Sequence, residues 1–194
     1  MTRRSEINRE TNEVAITGYL DLDGSGTSEV KTGLGFLDHM LATLAKHARF
    51  DLNLVATGDT QVDDHHTVED CAIVLGRALD EALGDRNGIT RFGYAYAPLD
   101  ESLSRAVIDL SGRPWPEISI EFTRDTIGEV ATENISHFLS SFAVEARMAL
   151  HIDLIRGEND HHKAESAFKA LAIALRSAVS QSDGGIPSTK GTLT

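Results

Sequence analysis

The chain has 194 residues, is 41% hydrophobic and 25% charged, and carries a formal net charge of −12. That length can bury a sizeable core as one compact domain or two small fused ones, and so acidic a balance argues against nonspecific nucleic-acid binding. The single cysteine, Cys71, excludes an internal disulfide, no apolar run reaches membrane-spanning length, and the N-terminus lacks a signal-peptide core, so a cytoplasmic protein is expected.

Residues up to about Ile7 read as a tail. Glu13 to Asp23 alternates as a strand around Val14, Ile16, Tyr19 and Leu20, turns at Gly24-Ser25-Gly26, and returns as a strand over Thr27 to Lys31. Leu37, Met40, Leu41 and Leu44 form the apolar stripe of a helix from Phe36 to Ala48, with His39, Thr43 and His47 on a separate polar stripe. A strand over Phe50 to Ala56 precedes a helix from His65 to Leu83 that buries Val68, Cys71, Ala72, Leu75 and Leu79. Beyond the polar connector Gly84 to Gly93 come strands at Tyr94 to Ala97, Ser102 to Leu110 and Glu117 to Phe122. A helix from Glu133 to Ala149, a strand over Leu150 to Ile155 and a helix from His161 to Val179 follow. Residues 1–86 and 87–182 thus read as two β-β-α-β-α halves, the second with an extra early strand. Each should be a small mixed sheet with two helices on one face, an internally duplicated α+β fold of the ferredoxin-like, split βαβ type. The tail, 183–194, is rich in Gly, Ser and Thr and is expected to fold over the active site, with Ser188-Thr189-Lys190-Gly191 suited to an anion.

The duplication is sharpest at Asp64-His65-His66-Thr67-Val68-Glu69, which returns as Asp160-His161-His162-Lys163-Ala164-Glu165. His39 precedes the first motif and His137 the second, so six of the eight histidines fall into two matched sets, each with a glutamate. On a helix, residues at i and i+4 share a face and adjacent residues diverge by about 100°. His65 with Glu69, and His161 with Glu165, can therefore hold one ion, while His66 and His162 point to another. Asp64 and Asp160 are expected as helix N-caps. The halves differ in their surroundings: Ile73 corresponds to Lys169, and His47 to Glu145. Paired metal sites with unequal charge around them suit an asymmetric, anionic substrate. A dinuclear hydrolase of phosphate esters, or a metal-storage or metal-sensing protein, would use the same ligands. The basic residues weigh against storage, and a long metal separation would weigh against hydrolysis.

Together with Arg9-x-Thr11-x-Glu13, Gly35-Phe36-Leu37-Asp38-His39-Met40-Leu41, Asp109-Leu110-Ser111-Gly112-Arg113-Pro114 and Ser188-Thr189-Lys190-Gly191, these motifs span nearly the whole chain. The sequence resembles the imidazoleglycerol-phosphate dehydratases of histidine biosynthesis, in their monofunctional form. The resemblance implies a hydro-lyase that converts D-erythro-imidazole-glycerol phosphate to imidazole-acetol phosphate with two Mn2+ per subunit. It implies one metal held by His39, His66, His161 and Glu165, and another by His65, Glu69, His137 and His162. Glu13 would be the general acid/base, and His47, Arg91, Arg113, Lys169, Ser188 and Lys190 would bind the phosphate. Thr43 stands where some members carry Gln. The resemblance further implies a 24-subunit shell with shared active sites, and neither nucleic acid nor membrane as partner. Metal–nitrogen bonds of about 2.1 Å would place two metals across one imidazole ring roughly 6 Å apart.

Overall fold

The computed structural model describes residues 3–185, 188–191 and 193. The first half runs β1 (Arg4–Glu10), β2 (Val14–Asp21), β3 (Ser28–Lys31), α1 (Gly35–Ala48), β4 (Asp51–Gly58) and α2 (His65–Leu83). The second runs β5 (Phe92–Leu99), β6 (Ser102–Asp109), β7 (Trp115–Ser119), a small ribbon of β8 (Thr126–Ile127) and β9 (Val130–Ala131), then α3 (Thr132–Glu145), β10 (Ala149–Arg156) and α4 (Asp160–Ala178). The sheets have the same topology, β1-β2-β4-β3 and β5-β6-β10-β7. The α+β class and the duplication expected from sequence are both present.

Two local expectations are corrected. The segment read as a tail is β1, paired antiparallel with β2 from Arg4 opposite Asp21 to Glu10 opposite Ala15. Its inward side shows only Ser5 and Ile7 as buried residues, too little apolar alternation to announce a strand. The apparent extra strand of the second half therefore has its counterpart, and each half is β-β-β-α-β-α apart from the ribbon. Likewise β3 does not pair with β2; it lies parallel to β4, reached through α1. The terminal tail contains residues 186, 187, 192 and 194, which lie outside the described residues, as do residues 1 and 2 at the other end.

The helices lie between the sheets, and they pair across the halves: α1 packs on α4, and α2 on α3. Small residues set these distances. A Cβ on Gly93 of β5 would come within 2.0 Å of the Ala174 carbonyl of α4. The inner face of β5 continues as Ala95 and Ala97, against buried Ala167, Ala170, Ala174 and Ala178 of α4. On α2, a Cβ at Gly76 would sit 2.7 Å from both the Phe142 carbonyl and the Glu145 Cβ of α3. One hydrophobic cluster draws on both halves. Among the described residues no helix is long and apolar enough to cross a membrane.

Candidate metal centre

The cross-half helix pairs decide where the motif histidines meet. His39 from α1 and His161 from α4 both turn Nε2 to one oxygen of Glu165, Oε2, at 3.1 and 3.2 Å. At the other pair, His137 Nε2 of α3 lies 2.9 Å from Glu69 Oε1 of α2, and His65 Nε2 lies 3.9 Å from Glu69 Oε2. The i, i+4 spacing thus acts as the sequence implied. In each of the two groups one ligand atom per residue can be chosen so that all lie within 4.8 Å of one another. Octahedral bonds of about 2.1 Å put neighbouring donors about 3 Å apart, so imidazole and carboxylate donors at these separations suit a divalent transition metal. Burial pushes the Glu165 carboxyl up, but Lys169 and His39 outweigh it and hold its pKa at about 2, so it is an anion ready to ligate.

His66 and His162 stand outside both groups. Their rings are turned nearly perpendicular to those of His65 and His161, with interplanar angles of 76° and 86°. Each meets carboxylates instead. His66 Nδ1 is 3.2 and 3.1 Å from the two oxygens of Asp59, and its Nε2 is 3.9 Å from Glu13 Oε1. His162 Nδ1 is 2.7 Å from Glu101 Oε2, and its Nε2 is 3.9 Å from Asp100 Oδ2. The Asp59 contact raises the pKa of His66, and the Glu101 contact that of His162. Asp59, Asp100, Glu101 and Asn134, whose Oδ1 is 2.9 Å from His65 Nδ1, carried no signal in the sequence, because each lies outside the repeated motif.

The N-cap expectation is corrected as well. The Asp64 carboxylate makes no cap bond; it accepts the Ala131 N–H at 2.8 Å, just ahead of α3. The cap of α4 is Asn159, which accepts from the N–H groups of His161 and His162. Asp160 accepts from the Thr123 and Arg124 N–H groups and pairs with buried Lys163 at 2.7 Å. Asp64 does stand at the N-cap position of α2, but the carboxylates of both aspartates bond to the segment ahead of α3 and not to the N–H groups of their own helices.

The residues expected at a phosphate fall into two places. Arg91, Arg113, Ser188 and Lys190 line an open cleft of about 520 Å3 with Phe92, Thr189 and Leu193. Arg91 Nε also donates to Asp109 at 2.7 Å. Lys169 instead sits beside the group of His39, His161 and Glu165, its Nζ 2.7 Å from Glu165 Oε1. His47 belongs to that neighbourhood too: burial lowers its pKa, and the charge of Lys169 adds to the effect.

A family profile described as imidazoleglycerol-phosphate dehydratase matches residues 32–175. Curated proteins of that name are similar throughout. That of Phytophthora nicotianae is 57% identical over 192 residues, spanning 98% of this chain but 42% of its own length. That of Methanothermobacter thermautotrophicus is 54% identical over 191 residues, 98% of each chain. Solved structures of imidazoleglycerol-phosphate dehydratases agree in fold. The Staphylococcus aureus structure gives a TM-score of 0.82 at 36% identity, covering 92% of this chain and 100% of that one. The Pyrococcus furiosus structure gives 0.83 at 35%, covering 96% and 99%.

Proposed function

The chain belongs to the imidazoleglycerol-phosphate dehydratase family of histidine biosynthesis, and we propose that it removes water from D-erythro-imidazole-glycerol phosphate to give imidazole-acetol phosphate, with two Mn2+ per subunit. The observation that carries this reading is the pair of His-His-Glu groups, each built across the two halves, with a further motif histidine turned away from each.

Three imidazoles and one carboxylate per metal would come from His39, His161 and Glu165 with His66, and from His65, Glu69 and His137 with His162. Within one chain the fourth member of each set lies elsewhere, so a neighbouring copy supplies it, in keeping with a 24-subunit shell with shared sites. The six histidine side chains are 28–46% exposed in the single chain, open enough for another surface to complete them. Outward-facing Phe92, Tyr94, Tyr96 and Trp115, each more than half exposed, suit burial against other copies.

Metals held by these residues would supply Lewis acidity and a template for the substrate. The protein's own groups do the rest. The copy that brings His66 brings Glu13 with it. Glu13 protonates the hydroxyl on the carbon beside the ring, which leaves as water, and takes the proton from the next carbon to give the enol. The carbon beside the ring then gains a proton as the enol O–H loses one, leaving the ketone. Lys169 with His47, and the arginines of the cleft with Ser188 and Lys190, hold the phosphate from two sides, arginine through its bidentate fork. The test is to incubate Mn-loaded protein with imidazole-glycerol phosphate and follow the ketone. Product that disappears on chelation and returns with Mn2+ is expected; no product from protein carrying two ions per chain overturns the assignment.

A further inference from the structure

The carboxylates on the two outlying histidines are not copies of each other. Asp59 stands seven residues before His66, in the turn between β4 and α2, and the residue seven before His162 is Ile155. Glu101 instead comes from the turn between β5 and β6. Yet both meet the same ring atom, Nδ1, of the second histidine in the repeated motif, at 3.1 and 2.7 Å. A duplication alone would have left one arrangement in both halves. Two arrangements converging on one atom point to a requirement at that atom. Among the described residues, neither acid pairs with a lysine or arginine; the ion pair of each is with its histidine.

We infer that Asp59 and Glu101 are positioning residues that keep the proton of His66 and His162 on Nδ1, so that Nε2 of each ring presents its lone pair outward to a metal. A neutral imidazole ligates through the nitrogen that lacks the proton, and the hydrogen bond at the other nitrogen settles which one that is. This rests on the two-metal reading, and it adds the groups that make the outlying histidines fit to ligate.

Glu101 allows a sharp test because its oxygens are divided. Oε1 accepts from the N–H groups of Asn159 at 2.8 Å and Glu158 at 3.1 Å, and Oε2 alone faces His162. In Glu101→Gln the carbonyl stays with the backbone, and the amide NH2 confronts Nδ1, forcing the proton to Nε2. Asp59 has no such division, so Asp59→Asn can turn its carbonyl to His66 Nδ1, while Asp59→Ala offers nothing.

The experiment is a chelator-competition titration of the full chain with Mn2+, beside melting of the metal-free protein. In Glu101→Gln and Asp59→Ala one ion per chain should keep the parent affinity and the other weaken by about ten- to a hundredfold. Asp59→Asn should stay near the parent, and all three should melt with the parent when metal-free. Parent affinity for both ions in Glu101→Gln and Asp59→Ala overturns the inference. So does weakening that tracks a lower metal-free melting temperature in all three variants, which makes the acids structural props. A parent chain that binds no Mn2+ overturns the two-metal reading, and this inference with it, before any variant is compared.

Discussion

Glu13 illustrates how little one residue says alone. It is a half-exposed glutamate in the turn ahead of β2, and without its motif it is a solvated strand end. In the fold its Oε1 stands 3.9 Å from His66 Nε2, and Asp100 stands at the same distance from His162 Nε2. Glu13→Gln keeps the size and removes the ionisable group, so it should retain two ions and substrate affinity while turnover falls about 10²–10⁴-fold. Turnover within a few-fold of the parent would remove Glu13 from the proton-transfer role. Lys169 tests the other end of the substrate. It shares a helix face with His161 and Glu165, as the spacing implied, and its ammonium sits on Glu165. Lys169→Ala should keep both ions and lose one charge-assisted contact to phosphate, about 1.5–3 kcal/mol, roughly ten- to a hundredfold in substrate affinity. Free imidazole should bind parent and variant alike; equal weakening of both ligands, or loss of metal, would make Lys169 a prop. The clustering of the motif histidines and glutamates at i, i+4 spacing was legible because the motif repeats. The acids and Asn134 behind His66, His162 and His65 were not, because those contacts join residues brought together only by the fold.

Among the elements, the helices were legible and the edges were not. The spans of α2 and α4 follow from apolar stripes that begin at the motif. β1 was missed because sheet pairing, rather than an apolar face, holds it, and β3 because its partner lies beyond α1. Helix pairing across the halves also escaped the sequence, although Gly76 marks it. Alanine there should favour the helix by about 1 kcal/mol, while its methyl must push against the backbone of α3, which cannot move as a side chain can. Overpacking of this kind costs about 1–3 kcal/mol. Gly76→Ala should therefore lower the melting temperature. It should also loosen the ion at His65, Glu69 and His137, which α2 and α3 share, and spare the one at His39, His161 and Glu165. A melting temperature at or above the parent's with both ions kept would mean the helices have room to spare.

At the scale of the molecule, the duplication explains why neither half suffices. Each three-residue group takes side chains from helices of both halves, so the sites exist only where α1 meets α4 and α2 meets α3. The proposed function extends the same logic one level up, because His66 and His162 stand outside both groups within the chain and would complete the groups of neighbouring copies. If each ion is held by groups from two subunits, metal binding and assembly are linked, and whatever binds only the assembled form stabilises it. Removing the ions should leave clustered imidazoles and carboxylates facing one another across each subunit contact with nothing between them. Exhaustive chelation should therefore abolish activity and shift the protein to a smaller species in size-exclusion chromatography, and Mn2+ should restore both together. Fully demetallated protein that elutes with the parent would break the link between site and shell. The metal groups would then have to be completed within one chain, by a movement of His66 and His162 toward them.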